Sequence, residues 1–257
     1  MSIIGYIHIC QTAGWIRSFN MLITEVRSSG LYDATAIINC GIVSDTESIQ
    51  DDEILHDPKF NLMHLGNTAL YERPTLLHMR NNAIAENKYW YLHTKGLRHF
   101  GTPTENNVID WINLMLYWNI RKWNNAVEIL NTNNTYGCNK LGNLHYSGNF
   151  WWATGSHILN LPTTIQLYYI ASEDYILSSN YKTGFYNAFS SGLEGMGHYS
   201  HPYPASRYTQ QKGLKLPKLT RSSILILIPR PIPMQNKSTP ILNRAKLYMI
   251  GKTSPRQ

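Results

Sequence analysis

The chain has 257 residues, enough for one large domain or two small ones with a full hydrophobic core. Its formal net charge is +7, but ten of the 23 Lys and Arg residues lie from Lys212 onward, a stretch without Asp or Glu. The remainder carries 13 basic and 16 acidic side chains, which argues against a nucleic-acid-binding body and leaves any polyanion affinity to the terminal segment. Cys10, Cys40 and Cys138 are odd in number, far apart and outside any CxxC pattern, so neither a disulfide framework nor a zinc site follows. Buried free thiols in a reducing, cytoplasmic setting are the expectation. The N-terminus lacks a basic segment followed by a long apolar core, so no signal peptide is expected. The apolar run Ile224 to Ile228 is far too short to span a bilayer.

Ile3 to Ile9 is rich in β-branched residues and predicts a first strand. Ile16, Phe19, Leu22, Ile23 and Val26 then recur at helical spacing until Gly30, a good helix stop. Ala36 to Cys40 predicts a short second strand ending at Gly41, which completes a βαβ opening. Asp45, Glu47, Asp51, Asp52 and Glu53 read as an exposed acidic loop. Tyr71 to Asn87 predicts a helix with Pro74 in its first turn, followed by a strand from Tyr89 to Leu92. Val108 to Leu130 carries the longest helical stripe of the chain, and its apolar residues are read as core. After a turn-rich stretch from Tyr136 to Gly142 comes a second apolar segment, then Ile158 to Leu167, expected as a loop leading into a short helix. Beyond Tyr181, Gly, Ser, Tyr and His predict loops that form one wall of a cleft. Such alternation of strands and helices predicts an α/β fold, a mostly parallel open sheet flanked by helices, over residues 1–211. Residues 212–257 hold six of the twelve prolines and ten basic residues. That segment reads as a poorly packed tail or as the product of a shifted reading frame.

Strands that stop abruptly on polar groups are where open α/β sheets present chemistry, because ligands bind outside their carboxyl ends. Tyr91-Leu92 ends on His93-Thr94-Lys95-Gly96. Lys95 can meet a diphosphate as a point charge, Gly96 allows close backbone approach, and His93 and Thr94 can donate hydrogen bonds. The competing reading has His93 packed internally and Lys95 solvated. Further on, His145, Ser147, Gly148 and Asn149 precede Phe150-Trp151-Trp152, which suits hydroxyl groups held beside indole faces. The bland alternative is a bulged core strand. Glu173 and Asp174 stand before an apolar turn, and either could be a general base or simply a helix N-terminal acid. The end of the first strand, His8 to Gln11, and the Cys40-Gly41 strand end are the candidate nucleotide contacts. Among the familiar catalytic patterns, H-E-x-x-H, Walker A, G-x-S-x-G and G-x-G-x-x-G are all missing.

Read together, Ser28-Ser29-Gly30-Leu31-Tyr32-Asp33, Tyr91-Leu92-His93-Thr94-Lys95-Gly96 and His145-Tyr-Ser-Gly-Asn-Phe-Trp-Trp-Ala153 resemble GT-A-like glycosyltransferases of the HTKG and SGNFWW type. Such proteins are encoded by large DNA viruses and by bacteria, and the resemblance covers residues 3–208. It implies a nucleotide-sugar donor and a glycan or glycoconjugate hydroxyl as acceptor, and a lone carboxylate base fits transfer by single displacement. It also implies Mn²⁺ or Mg²⁺ on the diphosphate through an Asp-x-Asp motif. The matching strand end carries His93-Thr94-Lys95 instead, so the metal is left open and Lys95 is the candidate for its charge. Two competitors remain. One is a non-catalytic carbohydrate-binding protein on the same fold; the other, less favoured by the charge distribution, is a polyanion binder acting through the tail.

Overall fold

A computed structural model of the protein describes residues 1–46, 56–180, 183–195 and 197–209. The expected tail and most of the acidic loop lie outside these described residues. The chain opens with β1 (Ile3–Cys10), α1 (Trp15–Ser28), a one-turn helix α2 (Leu31–Ala34) and β2 (Thr35–Val43). β3 (Phe60–Gly66), α3 (Arg73–Asn81) and β4 (Lys88–His93) follow, then α4 (Glu105–Leu116) and α5 (Trp123–Ile129). The last part contains β5 (Thr135–Gly137), β6 (Lys140–Leu141), β7 (His145–Tyr146), β8 (Trp151–Thr154), α6 (Gly155–Leu159), α7 (Ala171–Asp174), β9 (Phe185–Asn187) and α8 (Gly197–Ser200).

Seven strands form one sheet in the order β3-β2-β1-β4-β8-β5-β9, and β6 pairs with β7 as a separate hairpin. Every neighbour pair of the large sheet is parallel except the two made by β8, which runs against both β4 and β5. The expected mostly parallel sheet is therefore present, with one reversed strand. That reversal places the start of β8, not its end, beside the carboxyl end of β4, with Trp151 opposite Tyr91. It is how two segments about fifty residues apart in sequence reach the same sheet rim.

All six residues of β4 are buried because both faces of the sheet are covered. Alternate side chains supply two cores. Ile7 and Ile9 of β1, Trp90 and Leu92 of β4 and Trp152 of β8 pack with α1 and α4 on one face. Tyr6, Tyr89, Tyr91 and Trp151 pack with α3, α6 and α7 on the other. The second strand is longer than expected and continues to Val43, so Cys40 and Gly41 lie inside it. Cys40 is fully buried in the first core. A Cβ on Gly41 would stand 2.1 Å from Thr75 Oγ1, so this glycine lets α3 approach the sheet. The earlier reading of both as nucleotide contacts is corrected: neither is at a strand end.

The helix expected from Tyr71 to Asn87 is only nine residues long. Asn82 turns the chain with its Nδ2 donating to His78 O at 2.8 Å. Ile84 is then 56% exposed and takes no part in the core. The long stripe from Val108 to Leu130 is also divided, by a π-turn over Tyr117–Arg121. Side chains from the sheet take up backbone oxygens there: Tyr136 Oη donates to Trp118 O at 3.0 Å, and Trp152 Nε1 to Asn119 O at 2.8 Å. Periodicity records the shared apolar face across this break but not the break itself. Around residue 158 the expected order is inverted. A short helix with a Thr154 cap comes first, and the loop follows it.

Candidate active site

β1 and β4 are adjacent and parallel, with His8 opposite His93, so both end at one rim. Thr94 Oγ1 ties the rim together by accepting the Cys10 N–H at 3.0 Å. Above this edge lies a cleft of about 460 Å³. It is lined by the strand ends at His8, Cys10, His93 and Thr94, by Lys95, Gly96 and Arg98 beyond β4, and by Glu72, Ser172 and Glu173. Tyr71, Tyr169 and Tyr199 contribute aromatic surface.

Lys95 is held from behind. Its backbone N–H donates to Ser18 Oγ at 3.0 Å, and that hydroxyl stands 3.1 Å from Lys95 O. Gly96 follows with φ of 78°, the left-handed conformation that turns the chain away from the strand. The Lys95 side chain is 6% exposed, with its ammonium 4.2 Å from the centre of the Trp111 ring. Among the described residues this ammonium forms no ion pair. A nearly buried cation compensated only by an aromatic face favours an anion in the adjoining space. The loop into α1 adds to this field. Thr12 and Ala13 line the cleft just before a fourteen-residue helix with no acid in its first turn, whose positive end favours negative charge.

Glu72 is the residue that sequence reasoning missed. It stands at the entry to α3, one residue before the helix begins. Placing the helix start at Tyr71 made it an ordinary first-turn acid; Pro74 was the signal for a later start. Glu72 Oε2 accepts from Tyr91 Oη at 2.8 Å and from the Asn149 amide at 2.5 Å. Glu72 Oε1 lies 3.4 Å from His93 Nδ1. The preceding Tyr71 has φ of 51°, a strained value for a non-glycine residue beside a cleft. Replacing Glu72 with alanine leaves the Tyr91 hydroxyl and the Asn149 amide without their acceptor. A loss of about 3 kcal/mol is expected. Urea unfolding should show it, with Glu72→Gln losing clearly less; a Glu72→Ala protein as stable as wild type would refute the arrangement.

One ring nitrogen of His93 is taken up by the protein itself. Its Nε2 is 2.9 Å from Gly148 O, an acceptor only, so that nitrogen carries the proton. Burial, assisted by the Lys95 charge, lowers its pKa to about 3. His8 is lowered to about 4, again chiefly by burial, and its Nδ1 pairs with Thr75 Oγ1 at 2.8 Å. Both imidazoles are neutral near pH 7. The unfolded chain takes up these protons near its ordinary value of about 6.5 and the folded chain does not. Their contribution to stability is thus complete above about 6.5 and declines as pH falls from there toward 4. Scanning calorimetry should find Tm falling across that window; a flat Tm would mean the two rings are not buried as neutral groups.

The remaining expected residues are near the cleft without lining it. His145 Nδ1 pairs with Asp174 Oδ1 at 2.9 Å, and Asp174 Oδ2 accepts from Tyr168 Oη. Ser147 Oγ accepts the Gly195 N–H. Asn149 is fully buried, linking Glu72 to Trp151 Nε1, which donates to Asn149 Oδ1 at 2.8 Å. Trp151 stacks on Tyr91 at 4.9 Å between ring centres, and Trp152 lies in the opposite core. Gln11 is buried and outside the lining. His145, Ser147, Gly148, Asn149, Trp151 and Trp152, the residues expected to hold the sugar, are not among those that line the cleft. Trp151 and Trp152 go to the two cores because β8 is a central strand covered on both faces.

Among the described residues, no three His, Cys, Asp or Glu side chains converge as metal ligands. Of the carboxylates lining the cleft, Glu72 is committed to Tyr91 and Asn149. No protein-family model and no curated sequence matches the chain. The fold and the cleft define an α/β protein with a lysine-bearing pocket at the carboxyl edge of a mostly parallel sheet.

Proposed function

We propose that the protein is a glycosyltransferase that binds a nucleotide-sugar donor in this cleft, on an α/β sheet compatible with the GT-A architecture. The observation that carries the reading is the pairing of two unengaged groups of opposite charge. Lys95 and Glu173 both line the cleft, and neither has a hydrogen bond or ion pair from its charged group among the described residues. A structural salt bridge would have joined them or buried them with partners.

In this reading Lys95, Thr94 and the loop before α1 hold the diphosphate. Glu173 takes the proton from the acceptor hydroxyl as its oxygen attacks the anomeric carbon. The bond from that carbon to the diphosphate breaks, and Lys95 offsets the charge that develops on the leaving group. Asp174 is not the base, because both of its oxygens already have partners. Neutral His93 and Glu72 fix the floor on which these groups stand.

The decisive measurement is thermal stability against a panel of nucleoside diphosphates and their sugars, with and without Mn²⁺, combined with donor hydrolysis. A diphosphate at about 100 times its Kd should stabilise the fold by about 2.7 kcal/mol through mass action. If no nucleoside diphosphate raises Tm and no donor is hydrolysed, the proposal fails.

A further inference from the structure

Six large apolar side chains stand in water on two neighbouring loops at the mouth of the cleft. Leu70 and Tyr71 precede α3, and Leu167, Tyr168, Tyr169 and Ile170 precede α7, with exposures from 40% to 84%. Scattered apolar residues are ordinary on a protein surface, but a contiguous group is not. These loops are also held in place. The Arg73 guanidinium donates to Leu70 O, Gln166 O and Leu167 O, each at 3.1 Å, and so ties one loop to the other. Tyr71 and Tyr169 meet edge to face with ring centres 5.9 Å apart, and both line the cleft. The patch is therefore continuous with the cavity, and Glu173 follows it in the first turn of α7.

Resting on the glycosyltransferase reading, we propose that the acceptor is amphipathic, a hydroxyl-bearing head attached to an alkyl carrier. The head enters past the Tyr71–Tyr169 pair toward Glu173, and the carrier lies across Leu167 and Ile170. A free glycan would use the faces of the two tyrosines and leave the aliphatic side chains in water. An apolar chain covers both. Each methylene so buried contributes roughly fourfold in affinity, so carrier length should be visible in kcat/KM.

The test uses the full chain and a donor that it hydrolyses, with methyl, hexyl and octyl glycosides of one sugar as acceptors below their micelle concentrations. Octyl over methyl should improve kcat/KM at least tenfold. Leu167→Ser combined with Ile170→Ser should bring that ratio close to one; both side chains are exposed, so Tm should stay unchanged. Equal kcat/KM for methyl and octyl acceptors, with donor hydrolysis intact, overturns the amphipathic acceptor and leaves the parent reading standing. If no donor turns over, the parent reading fails, and octyl-glycoside binding measured by calorimetry decides the patch. Equal affinity in wild type and double variant then overturns it. Binding to phosphatidylcholine vesicles without any preference for the octyl acceptor also overturns it, since the patch would then serve a bilayer.

Discussion

Lys95→Met should lower turnover of the nucleotide-sugar donor by about 100- to 1,000-fold, the cost of removing one preorganised charge from a leaving-group site. Methionine retains an unbranched stem of similar length, so the packing on Trp111 survives and the fold should lose little stability. The effect should appear chiefly in kcat, because the charge on the departing diphosphate grows in the transition state. Affinity for the nucleoside diphosphate itself should fall less than turnover. Lys95→Arg tests geometry rather than charge: a planar guanidinium is wider than an ammonium and has little room in a nearly buried site. Partial activity at most is expected from it. If Lys95→Met keeps donor turnover within threefold of wild type, the cleft does not use this cation and the diphosphate assignment is lost.

The parts of the site that were legible in the sequence are those with one cause. His93-Thr94-Lys95-Gly96 ends an apolar run, and a run of six buried residues is what a central parallel strand requires. The structure places all four at the cleft. Their individual roles were not legible, because a histidine at a strand end looks the same in sequence whether it faces ligand or packs against a carbonyl. The Gly148 oxygen decides that, and it comes from the turn that leads into a strand running the other way. Strand direction leaves no mark on composition, so the Ser147-Gly148-Asn149 turn was read as holding hydroxyl groups, whereas its polar groups bond within the protein. Glu72 was hidden for a related reason. Its partners Tyr91 and Asn149 are 19 and 77 residues away in sequence, and no local pattern joins them. Tyr71 and Tyr169 stood among 17 tyrosines with nothing to separate surface from core.

Glu173 and Asp174 were equal candidates in the sequence, and their different surroundings predict different mutants. Glu173→Gln should reduce kcat by 100- to 10,000-fold, the usual range for loss of a positioned general base. It removes a negative charge from the cleft, so nucleoside diphosphate should bind at least as tightly as before. Asp174→Asn leaves the cleft lining untouched. It weakens the contact with His145 and the hydrogen bond from Tyr168, so its main effect should be a loss of about 1 kcal/mol in stability with kcat within tenfold of wild type. Single-turnover kinetics with saturating donor separates the two, since binding and chemistry are then measured apart. If both variants transfer sugar at the wild-type rate, no carboxylate at this position acts as base. If only Asp174→Asn abolishes transfer, the base is the carboxylate paired with His145, neither of which lines the cleft, and the assignment of Glu173 fails.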